Sequence, residues 1–147
     1  MSASNIHGSW GCQLLAEQKV ILQKGKGSWN VNAAYGYAKD LLKCANSLSD
    51  KPWASIGYGV DWELGVPEIE NVVIELFHQV ARLNCIIHVV VVKNSVAKFQ
   101  LQKILKVDVE KYQLVFTSSV EEAISELRKN GFALEHATLN QFLEEPY

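Results

Sequence analysis

The sequence predicts a single-domain α/β protein with a mainly parallel sheet of about five strands, and three observations predict it. Apolar runs of strand character alternate along the chain with segments of helical periodicity. One of the runs, "CIIHVVVV" over 85–92, is apolar on both alternating sets of side chains, as a parallel strand covered on both faces must be. The 147 residues, 48% of them apolar, suffice for one sizeable core, and no internal repeat, low-complexity tract or linker divides them.

The elements follow in order. "WGCQLLAEQ" and "VILQKGKG" read as adjacent strands forming an antiparallel pair. A helix then starts at Val31, with Ser28 or Asn30 as N-cap and an apolar stripe of Val31, Ala34, Tyr35, Ala38, Leu41, Leu42, Ala45 and Leu48. Cys44 falls on its polar side. "SDKP" ends that helix and "WASIGYG" is the third strand, because Pro52 cannot continue a helix. "GVDWELGVPE" reads as a loop, and Pro67 with two acids opens a second helix whose stripe runs from Ile69 to Leu83. "CIIHVVVV" is the fourth strand, "SVAKFQLQKILK" a short third helix and "YQLVF" the fifth strand. Ser119 and Glu122 make a capping box and Gly131 a C-terminal stop, predicting a fourth helix over 120–130. The last fifteen residues are expected to add a turn or two of helix.

Four segments, "GKGSWNVNAAYGYAKDLL", "DKPWASIGYGVDWEL", "PEIENVVIELFHQVARLN" and "FTSSVEEAISELRKNGF", resemble the bacterial SpoIIAA-like proteins, in the small uncharacterised branch of the STAS superfamily. The resemblance spans roughly 10–132, leaving 133–147 as a C-terminal extension of one domain. It implies a right-handed superhelix of β-α units with helices mainly on one face. Regulatory members carry a phosphorylatable Ser or Thr after an Asp where the third strand feeds the second helix. Here that junction is "YGVDWELG": Asp61 is followed by Trp62 and no hydroxyl, so a phosphorylation switch and the anti-sigma role lose their support.

A net charge of −2 argues against a nucleic-acid partner, which a dominant basic surface would have to grip. No apolar run has the length of a spanning helix and "MSASNIHGSW" lacks signal-peptide regions, so a cytoplasmic protein without a transmembrane segment is expected, and the resemblance implies a bacterial one. Cys12, Cys44 and Cys85 form no metal or disulfide pattern, and His7, His78, His88 and His136 have no metal-ligand spacing. No metal and no cofactor are expected.

"KGKGS" does not meet the spacing of a phosphate-binding loop and reads as a strand end with glycines and a serine cap. Ligands of parallel sheets sit beyond the carboxyl ends of the strands. That rim collects Ser28, Trp29 and Asn30, then Tyr58, Asp61 and Trp62, then Lys93, Asn94 and Ser95, then Thr117 and Ser118. The same residue types cap helices and make turns, so each has a structural reading beside the ligand-binding one. His88 interrupts an apolar strand and is either satisfied in the core or lines a pocket. Phe99 stands opposite the apolar face of its helix among Lys98, Lys103 and Lys106, a combination suited to an anionic membrane or an acidic partner.

The doubly apolar strand needs a cover on the face that the crossover helices leave open. The C-terminal "TLNQFLEEPY" or a second copy supplies it, and a homodimer is the expectation. The leading functional expectation is a non-enzymatic regulatory module that binds a protein partner or a small ligand. Two alternatives stand beside it: a carrier of a lipid or other small apolar molecule, and an enzyme using Asp61, His88 or the rim hydroxyls.

Overall fold

In "VILQK", residues 20, 22 and 24 turn to one side of the sheet and residues 21 and 23 to the other, and this alternation sorts the core into two clusters. The computed structural model describes residues 2–5, by backbone only, and 8–147; His7 lies outside the described residues. Strand β1 (Ser2–Asn5) pairs antiparallel with β2 (Gly8–Leu15), and β2 pairs antiparallel with β3 (Val20–Trp29). From β3 the sheet continues in parallel through β4 (Trp53–Tyr58), β6 (Cys85–Val91) and β7 (Gln113–Thr117). The short β5 (Trp62–Gly65) lies off this path and attaches to the end of β3. The five strands read from the sequence are all present, and β1 and β5 are additional. Strand β5 occupies what reads as a loop.

Helices α1 (Val31–Leu48), α2 (Ile69–Arg82) and α3 (Ser95–Leu105) cover one face, burying residues such as Leu41, Phe77 and Ile104 with Ile21 and Val90 of the sheet. Helices α4 (Val120–Lys129) and α5 (His136–Glu144) cover the other, where Leu127, Leu139 and Phe142 meet Leu22, Ile56 and Val89. The C-terminal segment therefore fills the face for which a second copy was the other candidate cover.

Two readings of α1 need correction. Tyr35 is 60% exposed, and Cys44, read as polar-facing, is buried. The buried set is rotated to include Ala33, Tyr37 and Cys44 because α1 packs closely on β2 as well as on α2. Gly36 lies against the Trp10 ring with no space for a side chain, and the Trp10 indole donates to Asp40 at 2.8 Å. A stripe drawn for one neighbour misses the second.

Candidate functional site

Strand β3 changes partner along its length. Residues 20–24 pair with 54–58 of β4, whereas Gly27, Ser28 and Trp29 pair with Trp62, Leu64 and Gly65 of β5, with a register shift between Gly27 and Ser28. Gly27 takes a φ of +76°, which side chains resist, and its N–H donates to the Asp61 carbonyl at 3.0 Å. "KGKGS" is thus part of a strand that runs on to Trp29, the extra residue at the register shift being Glu63 of β5, and the cap of α1 is Asn30 rather than Ser28. A cavity of about 70 Å³ lies between β3, β4 and β6 at their carboxyl ends, beneath α1, α2 and α3.

The walls are mostly apolar. Trp29 and Trp62 meet edge to face with centroids 6.3 Å apart, and Ile69, Val73, Leu101 and Ile104 descend from α2 and α3. Gly25 and Gly57 leave space in the sheet surface: a Cβ on Gly57 would come within 3.2 Å of His88 Cε1, and one on Gly25 within 3.1 Å of Trp29 Cζ2.

Three buried, uncharged polar side chains break this lining, Gln23, Tyr37 and His88, while half-buried Tyr58 packs against the second core cluster. The Tyr37 hydroxyl donates to Gln23 Oε1, and Gln23 Nε2 has no hydrogen-bond partner among the described residues. Burial holds the Tyr37 phenol protonated, far above its ordinary pKa. His88 Nδ1 shares a hydrogen bond with Ser55 Oγ, and its ring packs on Phe77 with centroids 4.9 Å apart. Burial lowers its pKa to about 3, a hydrogen bond to Ser55 opposing the shift. Cys85 Sγ donates to the Ile87 carbonyl at 3.5 Å, and burial pushes its thiol up to about 12 against hydrogen bonds to Ser55 and Ile87. Cys85, Ser55 and His88 thus gather in the core with the thiol protonated and the imidazole neutral at pH 7. The single charged side chain of the lining, Lys24, sends its ammonium to the opposite face, donating to the carbonyls of Phe142 at 2.8 Å and Glu145 at 2.6 Å.

Of the rim residues named from the sequence, Trp29, Tyr58 and Trp62 line the cavity together with His88. Asp61 and Asn94 border a separate open depression of about 560 Å³ that Trp62 shares. Ser28, Lys93, Ser95 and Ser118 are exposed. Several carry structural roles: Asn30 caps α1 by accepting from Ala33 N at 3.0 Å, Asn94 caps α3 by accepting from Val96 N and Ala97 N, and Ser118 donates to Glu122 at 3.1 Å. Thr117 is buried and donates to the Val90 carbonyl at 3.2 Å. Asp61 and His88 are not brought into one hydrogen-bonded group; the partner of His88 is Ser55. Gln23, Tyr37 and Ser55 were missed by the rim argument, although Gln23 and Ser55 are polar interruptions of apolar strands as His88 is.

Phe99 is 73% exposed, with Val96 60% exposed one helical turn earlier. Lys98, Lys103 and Lys106 are exposed around it, Lys103 being paired with Glu70 at 3.0 Å. Among the described residues no helix is long and apolar enough to cross a membrane.

No family model and no curated protein matches the chain. Among solved structures it is similar to an uncharacterized protein of the DUF3478 family with a SpoIIAA-like fold from Shewanella loihica PV-4. The match has a TM-score of 0.60 at 12% identity, covering 85% of this chain and 98% of that one. The chain has a SpoIIAA-like α/β fold.

Proposed function

We propose that the protein is a non-catalytic binding module that takes a small molecule into the cavity at the carboxyl ends of β3, β4 and β6 and signals occupancy to a protein partner through the rim. One observation carries this reading: an apolar-walled cavity at the end of parallel strands is lined by Gln23, whose buried amide donor Nε2 has no partner among the described residues. The local chemistry favours binding over catalysis. A nucleophilic thiol needs a lowered pKa and a general base one near neutrality, whereas Cys85 is raised to about 12 and His88 lowered to about 3.

The size of the cavity bears on the alternatives. Its volume of about 70 Å³ is below the ~150 Å³ of an apolar cavity that accepts benzene, so a lipid chain has no room without repacking. A small ligand is favoured over a lipid. Exposure of Phe99 and Val96 among lysines supports a second contact, at an anionic or acidic surface, as the place where the module meets its partner.

The test is a fragment screen read in the ¹H–¹⁵N spectrum of the full chain. Binding fragments are expected to move the indole signals of Trp29 and Trp62 and leave that of Trp53, whose N–H donates to the Leu83 carbonyl at 2.6 Å, in place. A screen in which no fragment separates these signals overturns the reading.

A further inference from the structure

Resting on the small-ligand reading above, we infer that the cavity selects an uncharged molecule of a few heavy atoms with an apolar body and one carbonyl-type oxygen, such as a small ketone or amide. The lining contains no carboxylate, and the ammonium of Lys24, its one charged group, is committed to two carbonyls on the far face of the sheet. An ion entering the cavity would give up its water without a counter-charge, which the apolar walls make costly. A neutral molecule avoids that loss.

The hydrogen-bonding inventory then specifies the functional group. Gln23 is 3% exposed; its Oε1 is taken by the Tyr37 hydroxyl, and its buried Nε2 finds no acceptor among the described residues. The missing partner is an acceptor. His88 engages Ser55 through Nδ1 and lines the same cavity, so its ring adds a second polar contact at the floor. As a neutral imidazole, it suits a neutral guest. The remaining surface, from Trp29, Trp62, Val73 and Leu101 among others, offers mainly apolar contact, and the volume limits the guest to a few heavy atoms.

Acetone, sodium acetate and xenon, probes of three chemistries, distinguish the outcomes on the unaltered, isotope-labelled full chain. Acetone is expected to shift the Gln23 side-chain amide and His88 ring signals saturably, with acetate at the same concentration leaving them in place. The Gln23→Leu variant should bind acetone about tenfold more weakly, one hydrogen bond's worth, while still admitting xenon. Acetate binding as well as acetone does overturns the claim of a neutral ligand. Xenon binding without acetone overturns the carbonyl but leaves the small-ligand reading intact. Silence from all three at these signals, together with an empty fragment screen, ends both. Because the three probes are compared on the natural chain, the result does not depend on whether the variant folds.

Discussion

Folding takes the His88 imidazole out of water and keeps it neutral, with a pKa near 3 against 6.5 for the free side chain. Between these values the unfolded chain binds a proton that the folded chain refuses. Stability therefore rises with pH across that window, and acidification removes about 1.4 kcal/mol per pH unit once the pH drops below the unfolded value. The loss ends where the folded ring itself protonates. In urea titrations, the stability of the natural chain is expected to fall toward that of His88→Gln by about 1.4 kcal/mol per unit between about pH 6 and about pH 4. A gap that stays constant across this range would show that the ring is not held neutral by burial. His88 was legible in the sequence because it is a single polar residue in a run of aliphatics. Tyr37 was not: the side of α1 it occupies depends on how closely Gly36 lets the helix approach Trp10, which no periodicity reports.

At the scale of elements, the caps separate residues that build the rim from residues that use it. Asn94 accepts from Val96 N at 2.8 Å and Ala97 N at 3.1 Å, satisfying two donors that the first turn of α3 cannot pair internally. Asn94→Ala is expected to lower stability by about 1 kcal/mol, and Asn94→Asp to restore most of it, as read by chemical denaturation. Acetone binding should be unchanged in both, because the cavity lining does not include this side chain. A loss of binding at intact stability would instead make Asn94 a ligand residue. The long elements were readable since each has a period and a start signal. Strand β5 was not, because four residues, "WELG", are too few for alternation to register, and it pairs with a part of β3, from Gly27 to Trp29, that lies beyond the last pair of β3 with β4. That same change of partner accompanies the cavity, so the candidate site was legible as a rim of loops but not as a polar floor beneath it.

For the molecule as a whole, the question is what covers the second face of the sheet. The sequence required a cover over 86–92 and offered two, the C-terminal segment and a second copy. In the structure Leu139 and Phe142 of α5, with Ala123, Ile124 and Leu127 of α4, pack on Leu22, Ile56 and Val89, and the two backbone carbonyls that hold Lys24 come from the end of α5 and the residues after it. Carbonyls at a helix C-terminus favour the Lys24 ammonium, opposing the burial that lowers its pKa, so the segment is fastened by these bonds as well as by apolar area. A homodimer then has to use another surface, with exposed Val96 and Phe99 available on α3. Leu139, 1% exposed, separates the two arrangements. If α5 is an integral cover, Leu139→Ala opens a cavity in the core and is expected to cost about 3 kcal/mol in chemical denaturation, independent of protein concentration. If instead a second copy covers this face and α5 lies loosely, the substitution costs well under about 1 kcal/mol, and the stability and sedimentation coefficient of the natural chain rise together with concentration.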